Sequence, residues 1–146
     1  MKDPAEVIRD LLVAASVGTF NASTGWSITI GEPSDSPDTN ILISASGGGS
    51  PYPHLLINFP SVQVFVRGKK SGYQDAQAKA REIVKVLLGR AGYTDAVSGD
   101  VYQSFTQTGD VAYLGQDENT RPMFTANFSL IVLPAAESGG HRTAIT

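Results

Sequence analysis

The chain has 146 residues, a size suited to one domain around one core. Its 41% hydrophobic and 17% charged residues make it too apolar and too weakly charged for a disordered polymer. A formal net charge of −3 gives no overall attraction to nucleic acid or to a membrane surface, and the lack of cysteine excludes a disulfide framework and thiolate chemistry, which suits the reducing cytoplasm.

The first helix is marked at its start. Asp3 can act as N-cap, Pro4 suits the first helical position, and Glu6 stands at capping-box spacing from Asp3. Val7, Ile8, Leu11, Leu12 and Ala15 share one face, and Gly18 supplies a stop. Residues 11–17 (LLVAASV) have the hydropathy of a signal-peptide core. However, the acidic Asp3, Glu6 and Asp10 precede them where a signal carries positive charge alone, so they are read as an amphipathic helix. No stretch approaches the roughly 20 apolar residues of a membrane helix.

Residues 26–30 alternate apolar and polar side chains, the pattern of a half-buried strand. Residues 31–40 (GEPSDSPDTN) are turn formers and predict a loop; 41–45 predict a short strand, and 46–53 (SGGGSPYP) a second, mobile loop. Residues 55–59 lead past Pro60 into a strand with Val62, Val64 and Val66 on one face and Gln63, Phe65 and Arg67 on the other. Ser71 and Gln74 have capping-box spacing before a helical stripe of Ala76, Ala80, Ile83, Val84, Leu87 and Leu88, which Gly89 ends. Asp75 and Lys79 are spaced for a surface ion pair. Strands follow over 101–108, 111–114 and 123–133, with a turn at 115–122 (GQDENTRP) between the last two.

This order of helix, strands, helix, strands predicts an α+β fold, a mostly antiparallel sheet with two helices packed on one face. Residues 1–133 form the domain, and 134–146, small, polar and patternless, read as a flexible C-terminal tail. The runs Ile41-Leu42-Ile43, Leu55-Leu56-Ile57 and Leu130-Ile131-Val132-Leu133 are apolar on both faces of their strands. Two short helices cover one sheet face, so either the sheet curls on itself or another subunit covers part of the second face.

Motifs for chemistry are missing. The Gly-rich stretch 46–50 lacks the Gly-Lys-Ser/Thr of a phosphate cradle and runs into Pro51 and Pro53. His54 and His141 lack partners at metal-ligand spacing, and no Gly-x-Ser-x-Gly elbow occurs. Asp117, Glu118 and Asn119 lack the alternation of a calcium loop and read as a polar turn, as do Asp35 and Asp38. Arg67, Lys69 and Lys70 form a small basic turn, too narrow and too poor in aromatics for nucleic acid; an acidic surface such as Asp117 and Glu118 of a neighbour is its functional alternative. No catalytic residue, metal or cofactor is assigned.

Two stretches carry a resemblance. Residues 60–87 (PSVQVFVRGKKSGYQDAQAKAREIVKVL) read as a strand, an Arg-Gly turn, Gly-Tyr and an amphipathic helix. Residues 109–132 (GDVAYLGQDENTRPMFTANFSLIV) read as a strand, Leu-Gly-x-Asp-Glu-Asn-x-Arg-Pro, and a long strand carrying Phe and Asn. In this order and spacing the chain resembles the tail-terminator, or minor capsid, proteins of long-tailed bacteriophages. The resemblance implies a structural virion protein, made in the host cytoplasm, that forms a homo-oligomeric ring of six. Such a ring caps the tail tube protein, ends elongation and offers a surface to the head-side connector or neck protein, with DNA passing through its centre. Contact elements are then expected at Arg67, Lys69 and Lys70 and at Gln116, Asp117, Glu118 and Arg121. Two alternatives stay open: a head-side neck component, and a small ligand-binding domain using the Gly-rich stretch and the acidic turn.

Overall fold

The computed structural model describes residues 1–52, 57–88, 90 and 92–135. Helix α1 (Pro4–Ala14) buries Val7, Ile8, Leu11 and Leu12 of the face its spacing predicts, whereas Ala15, also expected on that face, is the exposed C-cap. The Asp3 carboxylate accepts the Ala5 amide at 3.0 Å, and the Asp3 carbonyl accepts that of Glu6 at 3.0 Å. The helix stops at Ala15, before Ser16 at φ 61°, rather than at the expected Gly18. Gly18 serves a close approach: a Cβ there would lie 2.9 Å from the Trp26 carbonyl oxygen and 3.0 Å from the Ile28 side chain. At this point the short β1 (Thr19–Phe20) runs parallel to β2 (Ser27–Ile30).

Strand β3 (Asn40–Tyr52) has 13 residues and runs well past the expected 41–45, because the Gly-rich stretch is strand and not loop. It pairs antiparallel with β4 (Ile57–Arg67), and register shifts absorb the glycines, with Gly48 opposite Pro60 and Gly49 opposite Phe59. A bulge tolerates a proline that cannot donate to the ladder. Gly48 is required there: at φ 111°, a Cβ would sit 2.1 Å from the Phe59 carbonyl oxygen. The hairpin's outer part, 45–52 on β3, is exposed.

Helix α2 (Tyr73–Leu87) starts after Ser71, which lies at φ 60°, and its N-cap is Gly72 without a side-chain bond, so the expected Ser71–Gln74 box is replaced by a glycine start. Lys79 turns to Glu82 at 3.0 Å and to the Val17 carbonyl at 3.1 Å, away from the predicted partner Asp75. Beyond α2 come β5 (Tyr93–Thr94), β6 (Val101–Gln107), β7 (Ala112–Gln116) and β8 (Pro122–Leu133). The stop expected at Gly89, the residues His54, Leu55, Leu56 and His141, and the tail from residue 136 onward lie outside the described residues.

The strands form one curled, mostly antiparallel sheet in the order β1-β2-β3-β4-β8-β6-β5, with β7 also on β8. The α+β expectation therefore holds; the parallel pairs β1·β2 and β2·β3 are an edge feature that alternation does not encode. β6 and β7 lie end to end along the same edge of β8, one pairing with 128–133 and the other with 122–125. On the helix face, Ile41, Ile43, Val62, Val64, Val66, Phe124, Ala126 and Phe128 join the apolar faces of α1 and α2 in one core. Each fully buried side chain of this size contributes roughly 1.5–3 kcal/mol. Tyr73 of α2 makes edge contacts with Tyr113 and Phe124, both at 5.0 Å.

The opposite face is covered by neither helix. Its middle is polar, with Ser44, Gln63 and Asn127 in register across β3, β4 and β8. Its two ends are apolar and half-buried: Leu42, Phe65 and Met123 at one, Val101, Ile131 and Leu133 at the other. Alternation from Asn58, opposite the inward Val132, places half-buried Ile57 and Phe59 at this second end.

Candidate functional site

Strand alternation sets two arginines side by side. Arg67 closes β4 opposite Met123 of β8, and Arg121 stands two residues before Met123, so both point to the uncovered face at its first apolar end. Both are buried, Arg67 at 7% exposure and Arg121 at 5%. Their partners belong largely to the nine-residue connection 31–39, which carries the chain from the end of β2 back to β3 as its parallel neighbour. Parallel neighbours usually need a longer crossover. Here β2 has only four residues, so the return is short.

The arginines hold this connection down. Arg67 donates to the carbonyls of Asp38 at 2.8 Å, Pro37 at 3.0 Å and Ser34. Arg121 donates to the Asp35 carbonyl at 2.9 Å, to the Asp38 carboxylate at 3.2 Å and, through Nε, to the Asp117 carboxylate at 2.7 Å. Asp117 also accepts the Asn119 amide at 3.0 Å and the Arg121 amide at 2.9 Å, so the β7–β8 turn is closed by the same carboxylate. Asn40, 1% exposed, donates to the Ser27 carbonyl at 2.9 Å and ties β3 to β2 beneath the connection.

Burial pushes Arg67 below the ordinary arginine value, and the charge of Arg121 adds to this, while Asp117, Asp35 and Asp38 oppose it. For Arg121 burial acts the same way but is outweighed by Asp117, with Asp38 and Asp35 in support, and the value is raised. Burial would raise Asp117, yet the Arg121 amide, the Arg121 guanidinium and the Asn119 amide hold it below the usual carboxylate range.

The two pinned segments bound a cleft of about 410 Å³. Leu42, Phe65, Met123, Leu114 and Pro33 supply its apolar lining. Asp35, Asp117 and Glu118 join the two arginines on its polar side, and Asp38 stands next to it on Arg121. Asp35 is 92% exposed and Asp38 54%, so the lip presents acid to solvent while the positive charge lies underneath.

Of the seven residues expected at contacts, Arg67, Asp117, Glu118 and Arg121 meet at this cleft. Lys69 faces a smaller depression of about 290 Å³ on the α2 side, with Trp26, Thr39, Asp75, Lys79 and Glu82. Lys70 and Gln116 are exposed. Arg67, through Nε and Nη2, and Arg121, through Nε, Nη1 and Nη2, donate to partners within the chain. The apolar lining was not singled out from sequence. Its available signals were Leu42 within a run apolar on both faces and Phe65 beside Arg67 on the outward side of β4.

Among the described residues, no group of three or more His, Cys, Asp or Glu is placed to hold a metal ion. None of the described helices is long and apolar enough to cross a membrane. The cleft offers shape, apolar area and acidic charge, the means of binding a polypeptide. No curated protein matches the chain. A family model described as bacteriophage tail terminator protein matches residues 11–134, a span that includes both clamped segments and the cleft between them.

Proposed function

The chain belongs to the bacteriophage tail terminator family and is a structural virion protein; from that premise we propose that it closes into a homo-oligomeric ring, six copies on a six-fold tube, that caps the tail tube. One ring face binds the last ring of tube protein. The other no longer offers the surface a further tube subunit needs, so elongation stops, and it receives the head-side connector instead. The open centre passes DNA without reading its sequence. Assembly takes place in the host cytoplasm, and the ring ends at the head-proximal end of the tail.

The observation that carries this reading is the helix-free sheet face with separate, half-buried apolar ends, Leu42, Phe65 and Met123 at one and Val101, Ile131 and Leu133 at the other. A head-to-tail ring needs two different surfaces on every copy, each complementary to the other. Leaving both ends in water costs roughly 25 cal/mol per Å² of apolar surface that a neighbour would cover. Lys69, Lys70, Gln116 and Glu118 serve as rim charges and polar contacts that set register more than affinity.

The test is tube growth. Tail tube protein is polymerised with and without this protein, and tube lengths and tips are counted in negative-stain images, with molar mass followed by light scattering. Capped tubes of reduced length and ring-shaped particles are the expected outcome. Unchanged tube lengths with bare tips at excess protein would overturn the capping assignment.

A further inference from the structure

We infer that the cleft between the two arginine-held segments receives the C-terminal stretch 136–146 of the next copy; this rests on the ring reading above. The cleft has an apolar lining of Leu42, Phe65, Met123 and Leu114 and an acidic lip at Asp35, Asp38 and Glu118. The stretch after Ala135 carries His141 and Arg142 and one large apolar residue, Ile145, against a single acid, Glu137. Arg142 complements the lip, and Ile145, three residues on, supplies the apolar anchor. Anchoring one aliphatic side chain in a pocket with charge at its edge is a common way to hold an extended segment.

Where the stretch departs decides which cleft it reaches. The Ala135 amide donates to the buried Asp100 carboxylate at 2.9 Å, and the same carboxylate accepts the Lys2 amide at 2.8 Å. This fixes the root of the stretch beyond Leu133, at the opposite end of β8 from Met123 and the cleft. Twelve residues separate Met123 from Ala135, about 40 Å of strand at roughly 3.3 Å each. Ile145 is ten residues beyond Ala135 and extends at most about 35 Å. A chain's own cleft is thus at or past the limit of its reach, whereas a neighbour in a head-to-tail ring sets its first apolar end beside this copy's second.

The absence of cysteine makes the contact directly testable. Two single-cysteine variants of the full chain are prepared, Ala144→Cys, beside the anchor and leaving Ile145 in place, and Leu114→Cys, at a side chain on the cleft that is 46% exposed. They are mixed under mild oxidation, so that a 144–114 cross-link can join only two different copies. The comparison is Ala144→Cys mixed with Val97→Cys, at a residue 86% exposed in the connection between β5 and β6, at the Leu133 end of β8 and away from the cleft. Docking raises the local thiol concentration to about the millimolar range, so the Leu114 pair should form at least ~10-fold faster than the Val97 pair.

Equal rates in a sample whose mass shows rings overturn the docking and leave the ring standing. Equal rates in a monomeric sample overturn both. A double variant carrying Ala144→Cys and Leu114→Cys that closes within one copy, as a cross-linked monomer, overturns the assignment to a neighbour.

Discussion

Replacing Arg121 by alanine tests whether the clamp is structural. The side chain is 6% exposed and makes charge-assisted bonds to Asp117, Asp38 and the Asp35 carbonyl. A hydrogen bond to a charged group contributes about 1.5–3 kcal/mol, and the cost of losing one depends on whether the abandoned partner regains water. Asp35 and Asp38, 92% and 54% exposed, regain it; Asp117, 19% exposed, regains it only in part but keeps two backbone amides. Weighing these, Arg121→Ala should cost about 2–4 kcal/mol, well below the sum of its bonds. Arg121→Lys, which keeps one of them, should cost about half as much. Asp35→Ala, removing an exposed partner whose carbonyl contact survives, should cost at most about 0.5 kcal/mol. With a urea slope of roughly 2 kcal/mol per M, the alanine variant's midpoint falls by about 1–2 M. Urea unfolding followed by Trp26 fluorescence measures all three. An alanine variant within about 0.5 kcal/mol of the parent, or an Asp35→Ala variant just as destabilised, would refute the clamp.

Asp117 should make stability pH-dependent with a definite sign. Its folded-state value is depressed, so its contribution is present above the ordinary aspartate value of about 3.9 and is lost as pH falls through the folded value. The stability gap between parent and Asp117→Asn should therefore be largest near neutrality and close in acid; a constant gap down to about pH 2 would contradict this. Gly48→Ala should destabilise the outer hairpin by more than about 2 kcal/mol, whereas Gly47→Ala, also at positive φ but with open space around its Cβ, should cost about 1 kcal/mol. Amide exchange across residues 57–62 reads the difference, and equal protection in the two variants would count against the close contact with Phe59. The Tyr102 hydroxyl is buried without a hydrogen-bond partner among the described residues, so Tyr102→Phe should be neutral or stabilising by up to about 1 kcal/mol in thermal unfolding. A loss above about 1 kcal/mol would point to a partner for the hydroxyl.

Local pattern was enough for much of this protein. The α1 face Val7, Ile8, Leu11, Leu12, the α2 stripe from Ala76 to Leu87 (Leu88, expected on it, is the exposed C-cap), and the alternation of Val62, Val64 and Val66 against Gln63, Phe65 and Arg67 follow from periods of 3.6 and 2, and they imply two helices on one face of a sheet. Runs such as Ile41-Leu42-Ile43 already signalled strands apolar on both faces, and residues 60–87 and 109–132 carried the family resemblance. Three features depended on distant partners. Residues 46–52 read as loop because glycine has poor strand propensity, and only pairing with 57–60 makes them strand. Residues 31–39 read as a free loop because their anchors, Arg67 and Arg121, lie some 30 and 85 positions away in sequence. The same distance hid the cleft: charge in a turn reads as surface until the fold shows what it bonds, and the register of β3, β4 and β8 alone brings Leu42, Phe65 and Met123 together.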